Sequence, residues 1–400
     1  MRKLLNSILL VAVLGLGLFS LSASTDIAAA GNGTLKAGWI YVGPIGDYGW
    51  THAHDQARKI AEETFPWLET VYVESVPEGE VETYIDRLIR EEGVQVVFTT
   101  SFGFMDGTLA AAQRYPEIIF AHCSGFKRWK NMATYMADFY QVYYLNGLMA
   151  GALTKTGKIG YVGAYPIPEL KRHINAFTLG VREVNPEATV HVRWIYKWYD
   201  PAAAKEAAES LIAEGVDVLA FTEDSPTVVT VAAEHKIPSF SHYSPMYRFA
   251  PDWVVSGQLV HWEAFYLDFL AKVYAGLYTP ENLEGVDWWG LLGEGAVELG
   301  AKPGMPINPK FEDELKAVVV DDPLLGQISV WDLVFVRLEQ MRDPQMVFDP
   351  FTGPIYDRKG ILRIPEGRRA SYHELLTMEW AVSGVVGPWP GEPEAEAEGE

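Results

Sequence analysis

The stretch GPIGDYGWTHAHDQAR, residues 43–58, concentrates groups that could do chemistry, and two chemistries compete for it. His52 and His54 stand in an H-x-H spacing beside Asp55. With His122, His242 and Asp55 or Asp224 they could ligate a divalent ion and activate water, as metal-dependent hydrolases do. Alternatively, Trp50 offers a wide planar surface to a flat organic molecule. The spacing favours the second chemistry. The histidine pair falls well past the first strand, inside a predicted helix, and residues two apart on a helix do not share a face. His52 then reads as a solvent-facing residue and His54 as a helix-entry residue. Nucleophilic and nucleotide chemistry find no support: the chain has no G-x-S-x-G elbow, no G-x-G-x-x-G after a strand and no Walker motif. The single cysteine, Cys123, ends an apolar run and reads as a buried, inert thiol. It permits neither an internal disulfide nor a cysteine-cluster metal site.

The elements that must position these residues alternate. KAGWIYVG, LETVYVESV, VQVVFTTS and EIIFAHCS are β-rich apolar runs, separated by segments of helical spacing. In the first of those segments Ala53, Ala57, Ile60 and Ala61 share a face. NMATYMA reads as a further strand, and a long helix is expected from about Phe139 to Leu153. The rhythm then restarts with GKIGYVGAY, ATVHVRWIY, VDVLAFTED and IPSFSHY, again with helices between. In one of these helices Asp200 is the expected N-cap and Pro201 the first helical residue. Repeated βα units imply parallel, doubly wound sheets, here in two similar lobes whose strand ends face one cleft. Residues just after the strands are therefore the candidate site. Trp50 and Trp198, one from each lobe, could sandwich a flat ring, and Asp55, Asp224, Ser225 and His242 could read its edge.

Composition limits the rest. A formal net charge of -21 argues against nucleic acid or anionic membrane as a partner. Arg2 and Lys3, the apolar run Leu4–Leu21 and the small residues Ser22–Gly31 read as an export signal, residues 1–30, cleaved after Ala30 or Ser24. The run is also long enough to anchor uncleaved. No cysteine lies near it, so no lipid anchor is expected. GEPEAEAEGE, residues 391–400, reads as a solvated, disordered acidic tail.

Longer stretches carry a resemblance. YVGPIGDYGWTHAHDQAR, VFTTSFGFMD, GKIGYVGAYPIPELKRHINAFTLGVREVNP, WYDPAAAKEAAESLIAEGVDVLAFTEDSP, FTGPIYDRKG and LLTMEWAVSGVVG resemble the basic membrane protein family, across about Lys36 to Pro388. These are substrate-binding proteins of ABC transporters, related to purine nucleoside receptors. The resemblance implies a type I periplasmic-binding-protein fold: two doubly wound α/β lobes, a three-stranded hinge and a closing cleft. Residues 35–155 with about 257–285 would form lobe 1, and 156–256 with about 286–390 lobe 2. It also implies a purine stacked between two aromatics, matched here by Gly49-Trp50 and by Trp198 ahead of Asp200-Pro201, with Asp55 contacting the base. Phe102, Gly103, Asp224, Ser225 and His242 complete the expected site.

Two departures bear on the ligand. Nucleoside receptors carry ribose-binding carboxylates where this chain has Ser124 and His242, so a free base such as adenine is expected ahead of a nucleoside. The implied protein is non-catalytic, without metal or cofactor. It is an exported periplasmic monomer whose partners are a small purine or nucleoside and an inner-membrane ABC permease.

Overall fold

Short apolar runs rich in Val, Ile, Tyr and Phe become buried strands, and the amphipathic segments between them become helices on the sheet faces. The structure, a computed structural model, describes residues 33–392. The expected signal, residues 1–30, lies outside the described residues, as do residues 393–400 of the expected tail. Glu392, within that expected tail, pairs with Arg358.

The first lobe runs β1 (Leu35–Ile40), α1 (Trp50–Thr64), β2 (Leu68–Val73), α2 (Val81–Arg90), β3 (Val96–Thr99), α3 (Met105–Arg114), β4 (Ile119–Cys123) and β5 (Met132–Ala137). The second follows with α4 (Tyr140–Leu153), β6 (Lys158–Gly163), α5 (Pro168–Val184), β7 (Thr189–Trp194), α6 (Pro201–Ala213), β8 (Leu219–Thr222), α7 (Thr227–His235), β9 (Ser239–Ser241) and β10 (Val254–Val260). Then α8 (Glu263–Tyr274) and β11 (Asp287–Gly290) return to the first lobe, and β12 (Val297–Leu299) to the second.

The first sheet has the order β11-β5-β4-β3-β1-β2 and is parallel throughout. The second is ordered β12-β10-β9-β8-β6-β7, with the short strand Val385–Val386 pairing parallel to β7 at its edge and β12 antiparallel to β10. In each lobe the strand order reverses beside the first strand, between β1 and β3 and between β6 and β8. Open α/β sheets bind ligands outside the carboxyl ends at such switch points.

The chain passes between the sheets after Ala137, after Val260 and after Gly290, which are the hinge connections. At the second connection the His261 ring donates from Nδ1 to Glu263 and from Nε2 to Glu298, each at 3.0 Å. Those hydrogen bonds hold its pKa up at about 9. A folded-state pKa above the ordinary His value of about 6.5 stabilises fully below about pH 6.5, and the contribution is lost as pH rises through about 9. The melting temperature is therefore expected to fall more between pH 7 and 10 in the wild type than in His261→Gln. Parallel curves for the two proteins would refute the assignment.

Helix α1 differs from its expected packing. Thr51, His54, Asp55, Ala57, Arg58 and Ala61 are buried, and Ile60 is exposed. Polar members of the buried face are tolerated because each finds a partner, Asp55 and Arg58 in one another on the same helix and His54 across the fold. His54 Nδ1 meets the Tyr266 hydroxyl at 2.7 Å, and its ring stacks on Trp262 at 4.2 Å. Asp200 caps α6 as expected, accepting from Ala203 N–H at 3.0 Å.

Candidate functional site

The loops at the two switch points meet around a small cavity. The first lobe contributes Val42 and Trp50 after β1, Ser101 and Phe102 after β3, and Ser124 after β4. The second contributes Glu169 at the start of α5, Trp198 after β7, Asp224 after β8 and Tyr243 after β9. Of the expected residues, Trp50, Phe102, Trp198 and Asp224 line it.

The lobes are closed on each other. The Trp50 backbone N–H donates to Asp224 Oδ1 at 3.3 Å, and the Ser244 hydroxyl to the Gly49 carbonyl at 3.2 Å. Trp198 Nε1 donates to Glu78 Oε1 at 3.3 Å, and the Ser124 hydroxyl to Glu169 Oε2 at 2.5 Å. Gly49 is required at this seam. A Cβ there would stand 2.6 Å from the Asp224 Cα, closer than real atoms approach.

Trp50 is held by its own lobe. It is the first residue of α1, its Nε1 donates to the Thr100 carbonyl at 2.5 Å, and its ring meets the edges of His54, Trp262 and Tyr243. The helix start is fixed by Asp47, whose carboxylate accepts from the backbone N–H of Gly49, Thr51 and His52. Burial nevertheless pushes Asp47 up to about 6. Burial also raises Asp224 well above the usual carboxylate range, with Asp47 and Glu223 adding to it, and raises Glu169. Trp198 is half-buried and leans on Tyr165, with ring centroids 4.9 Å apart.

Other expected residues stand elsewhere. Asp55 points away from the cavity: its carboxylate binds Arg58 at 2.9 Å and Lys59 at 2.7 Å on its own helix. Ser225 turns to Glu223 and Thr227. Gly103 sits behind Phe102, donating its N–H to Glu78 Oε1 at 3.1 Å. His242 is buried between Tyr143 and Gln258, and burial holds its pKa well below the ordinary range, so it is neutral. Asp55→Asn is accordingly expected to lower stability by about 1.5–3 kcal/mol, the worth of a charge-assisted contact, and to leave ligand affinity unchanged. Thermal melts and a titration of that variant check both halves; a loss of affinity would return Asp55 to the site.

The histidines do not assemble a metal centre. His52 is bonded to the Ile45 carbonyl, His54 to Tyr266 and His122 to Thr99, in separate surroundings. Among the described residues no group of three or more His, Cys, Asp or Glu is placed to hold an ion. Cys123 is buried, and burial raises its thiol pKa well above the ordinary value.

Sequence reasoning missed Glu169 and Glu78. Glu169 had a local signal: an acidic residue in the first turn of a helix opened by Pro168, directly after a strand. Glu78, in the loop after β2, had none, because its role depends on the other lobe closing on it.

A family model described as ABC transporter substrate-binding protein PnrA-like, the Bmp family, matches residues 34–322. A purine-binding protein of Brucella abortus (strain 2308) is 36% identical over 361 residues, covering 90% of this chain and 95% of that protein. A Haloferax volcanii protein whose name assigns it to glucose binding in an ABC transporter is 37% identical over 298 residues, 74% of each chain. An ABC transporter solute-binding protein of Aeropyrum pernix K1 shares the fold, with a TM-score of 0.65 at 16% identity over 87% of this chain and 100% of that one. The architecture is thus of the periplasmic-binding type.

Proposed function

This chain belongs to the PnrA-like family of ABC transporter substrate-binding proteins, and on that premise we propose that it binds a purine base, adenine-like, between Trp50 and Trp198 and delivers it to an ABC permease for import. The observation that carries the reading is the cavity itself: small, closed between the lobes, and lined by Trp50, Phe102, Trp198 and Tyr243 with two carboxylates at its edge. The purine-binding relative supports the same ligand class. The role is binding, with no catalytic residue assigned and no metal or cofactor required.

One observation favours a nucleoside as the second reading. Glu169 of the other lobe brings a carboxylate to Ser124, and a further small cavity is lined by both residues. Residues 1–30 are proposed to export the protein to the periplasm as a free monomer. Among the described residues no helix is long and apolar enough to cross a membrane.

The test is mass spectrometry of what the purified protein releases on denaturation. The expected mass is that of a purine base. A nucleoside would favour the second reading, and a hexose, as the name of the Haloferax relative would suggest, would contradict both.

A further inference from the structure

The seam between the lobes gathers acids from both sides at one helix start. The Asp47 carboxylate accepts the N–H groups of Gly49, Thr51 and His52 at the head of α1. Asp224, from the other lobe, takes the N–H between them, that of Trp50, with Oδ1. Its Oδ2 has no partner, and neither has Oε2 of its neighbour Glu223. Asp47, Asp224 and Glu223 are each no more than 1% exposed. The charged side chains facing them are also acidic, Glu169 from α5 and Asp200 ahead of α6, and Tyr243 brings a phenol. The bases of α1 and α5 are engaged elsewhere: His52 bonds the Ile45 carbonyl, and Arg172 and His173 bond Asp138. Among the described residues no group of acids is placed to hold a metal ion.

Opening returns Asp47 and Asp224 to separate lobes and to water, where a carboxyl titrates near ~4. Closing removes the water and sets the two acids together, and both effects disfavour the ionised form. The N-terminus of α1 favours negative charge, but its N–H groups from Gly49 to His52 are divided between two carboxylates, and one oxygen is left over. On the reading that ligand closes the lobes, we propose that the closed seam is a binding site for a proton, held by the Asp47–Asp224 pair with Asp224 Oδ2 as the free oxygen, so that ligand binding takes up a proton from solution. Burial acts in the same direction, pushing Asp47 up to about 6 and Asp224 well above the usual carboxylate range in the closed protein. Closure is therefore favoured as pH falls, and affinity is lost as pH rises from the open-state value of ~4 through the higher closed-state values.

The experiment is calorimetric titration of the ligand-free, mature protein with adenine, which keeps its charge over the range used, at pH 6.5 and 7.5 in two buffers of different ionisation enthalpy. The wild type is expected to take up about one proton on binding, and its affinity to fall about tenfold over that pH unit, because the slope equals the proton uptake. Asp224→Asn, which keeps an oxygen for the Trp50 N–H, is expected to flatten the fall to about threefold or less. Asp47→Asn, which keeps a helix cap but removes the facing charge, is expected to reduce it too. Glu169→Gln is expected to keep the wild-type slope. No proton uptake by the wild type, the outcome if a ligand N–H meets an ionised Asp224, overturns the proposal. So does an undiminished slope in Asp224→Asn, or a slope lost only in Glu169→Gln. Should Asp224→Asn fail to fold or bind, Asp47→Asn and the wild-type uptake still decide. Failure of adenine to bind the wild type removes the purine reading instead, and solution scattering of the ligand-free protein then tests the proton site. A radius smaller at pH 5.5 than at pH 8 supports it, and equal radii overturn it.

Discussion

Gly49→Ala is expected to cut ligand affinity by about two orders of magnitude or more while the ligand-free protein stays folded. The methyl group would stand 2.6 Å from the Asp224 Cα and 2.9 Å from its Cβ. The first of these atoms is backbone, so no side chain can swing away to make room. The lobes can then avoid the clash only by staying apart. Apart, they separate Trp50 and Phe102 from Trp198, Asp224, Glu169 and Tyr243, and a ligand gains only one half of its contacts. A ligand shifts the open–closed equilibrium by no more than its preference for the closed state. Losing even a third of the ~8 kcal/mol that holds a micromolar complex is about a hundredfold in affinity. Titration calorimetry reads the loss, and solution scattering should show that ligand no longer shrinks the variant. Wild-type affinity in Gly49→Ala would mean that the lobes do not meet at this seam when ligand is bound.

Trp198→Leu is the second large effect, an affinity loss of about 10- to 100-fold, since stacking of a base on a ring is worth ~1–3 kcal/mol. Trp198 is half-buried on the second lobe, so its replacement should barely move the melting temperature. Trp50 makes the instructive contrast. It is 6% exposed and packed among His54, Trp262 and Tyr243. Trp50→Leu should therefore lower affinity and stability together, as truncation of a buried aromatic does, by up to ~3–5 kcal/mol in the full Ala case. Melts and titrations of both variants separate stacking from packing. Normal purine binding by Trp198→Leu would remove that ring from the site.

What could be read from the sequence followed from local pattern. Apolar runs alternating with helical spacing gave the strands and helices of both lobes, and the strand-end rule placed Trp50, Phe102, Trp198 and Asp224 beside the cleft. Asp55 was assigned to the ligand's edge by both the strand-end rule and the resemblance, against a local signal. Arg58 and Lys59 follow it at i+3 and i+4, the spacing at which helical ion pairs form, and the carboxylate turns to them. His54 and His242 were misplaced for a different reason. Their partners, Tyr266 of α8 and Tyr143 of α4, come from distant elements, and nothing near either histidine announces them. Glu169 reaches Ser124, and Trp198 reaches Glu78, only across the closed seam. Contacts between lobes depend on how the lobes dock, and no local periodicity encodes that.

The central claim is that this protein closes on a single purine base. Its most direct test is calorimetric titration of the refolded, ligand-free protein with adenine, with glucose as the control. The account predicts saturable one-to-one binding of adenine at micromolar or lower Kd, with a negative heat-capacity change as the cleft buries apolar surface, and no heat with glucose. Saturable binding of glucose with none of adenine would contradict it.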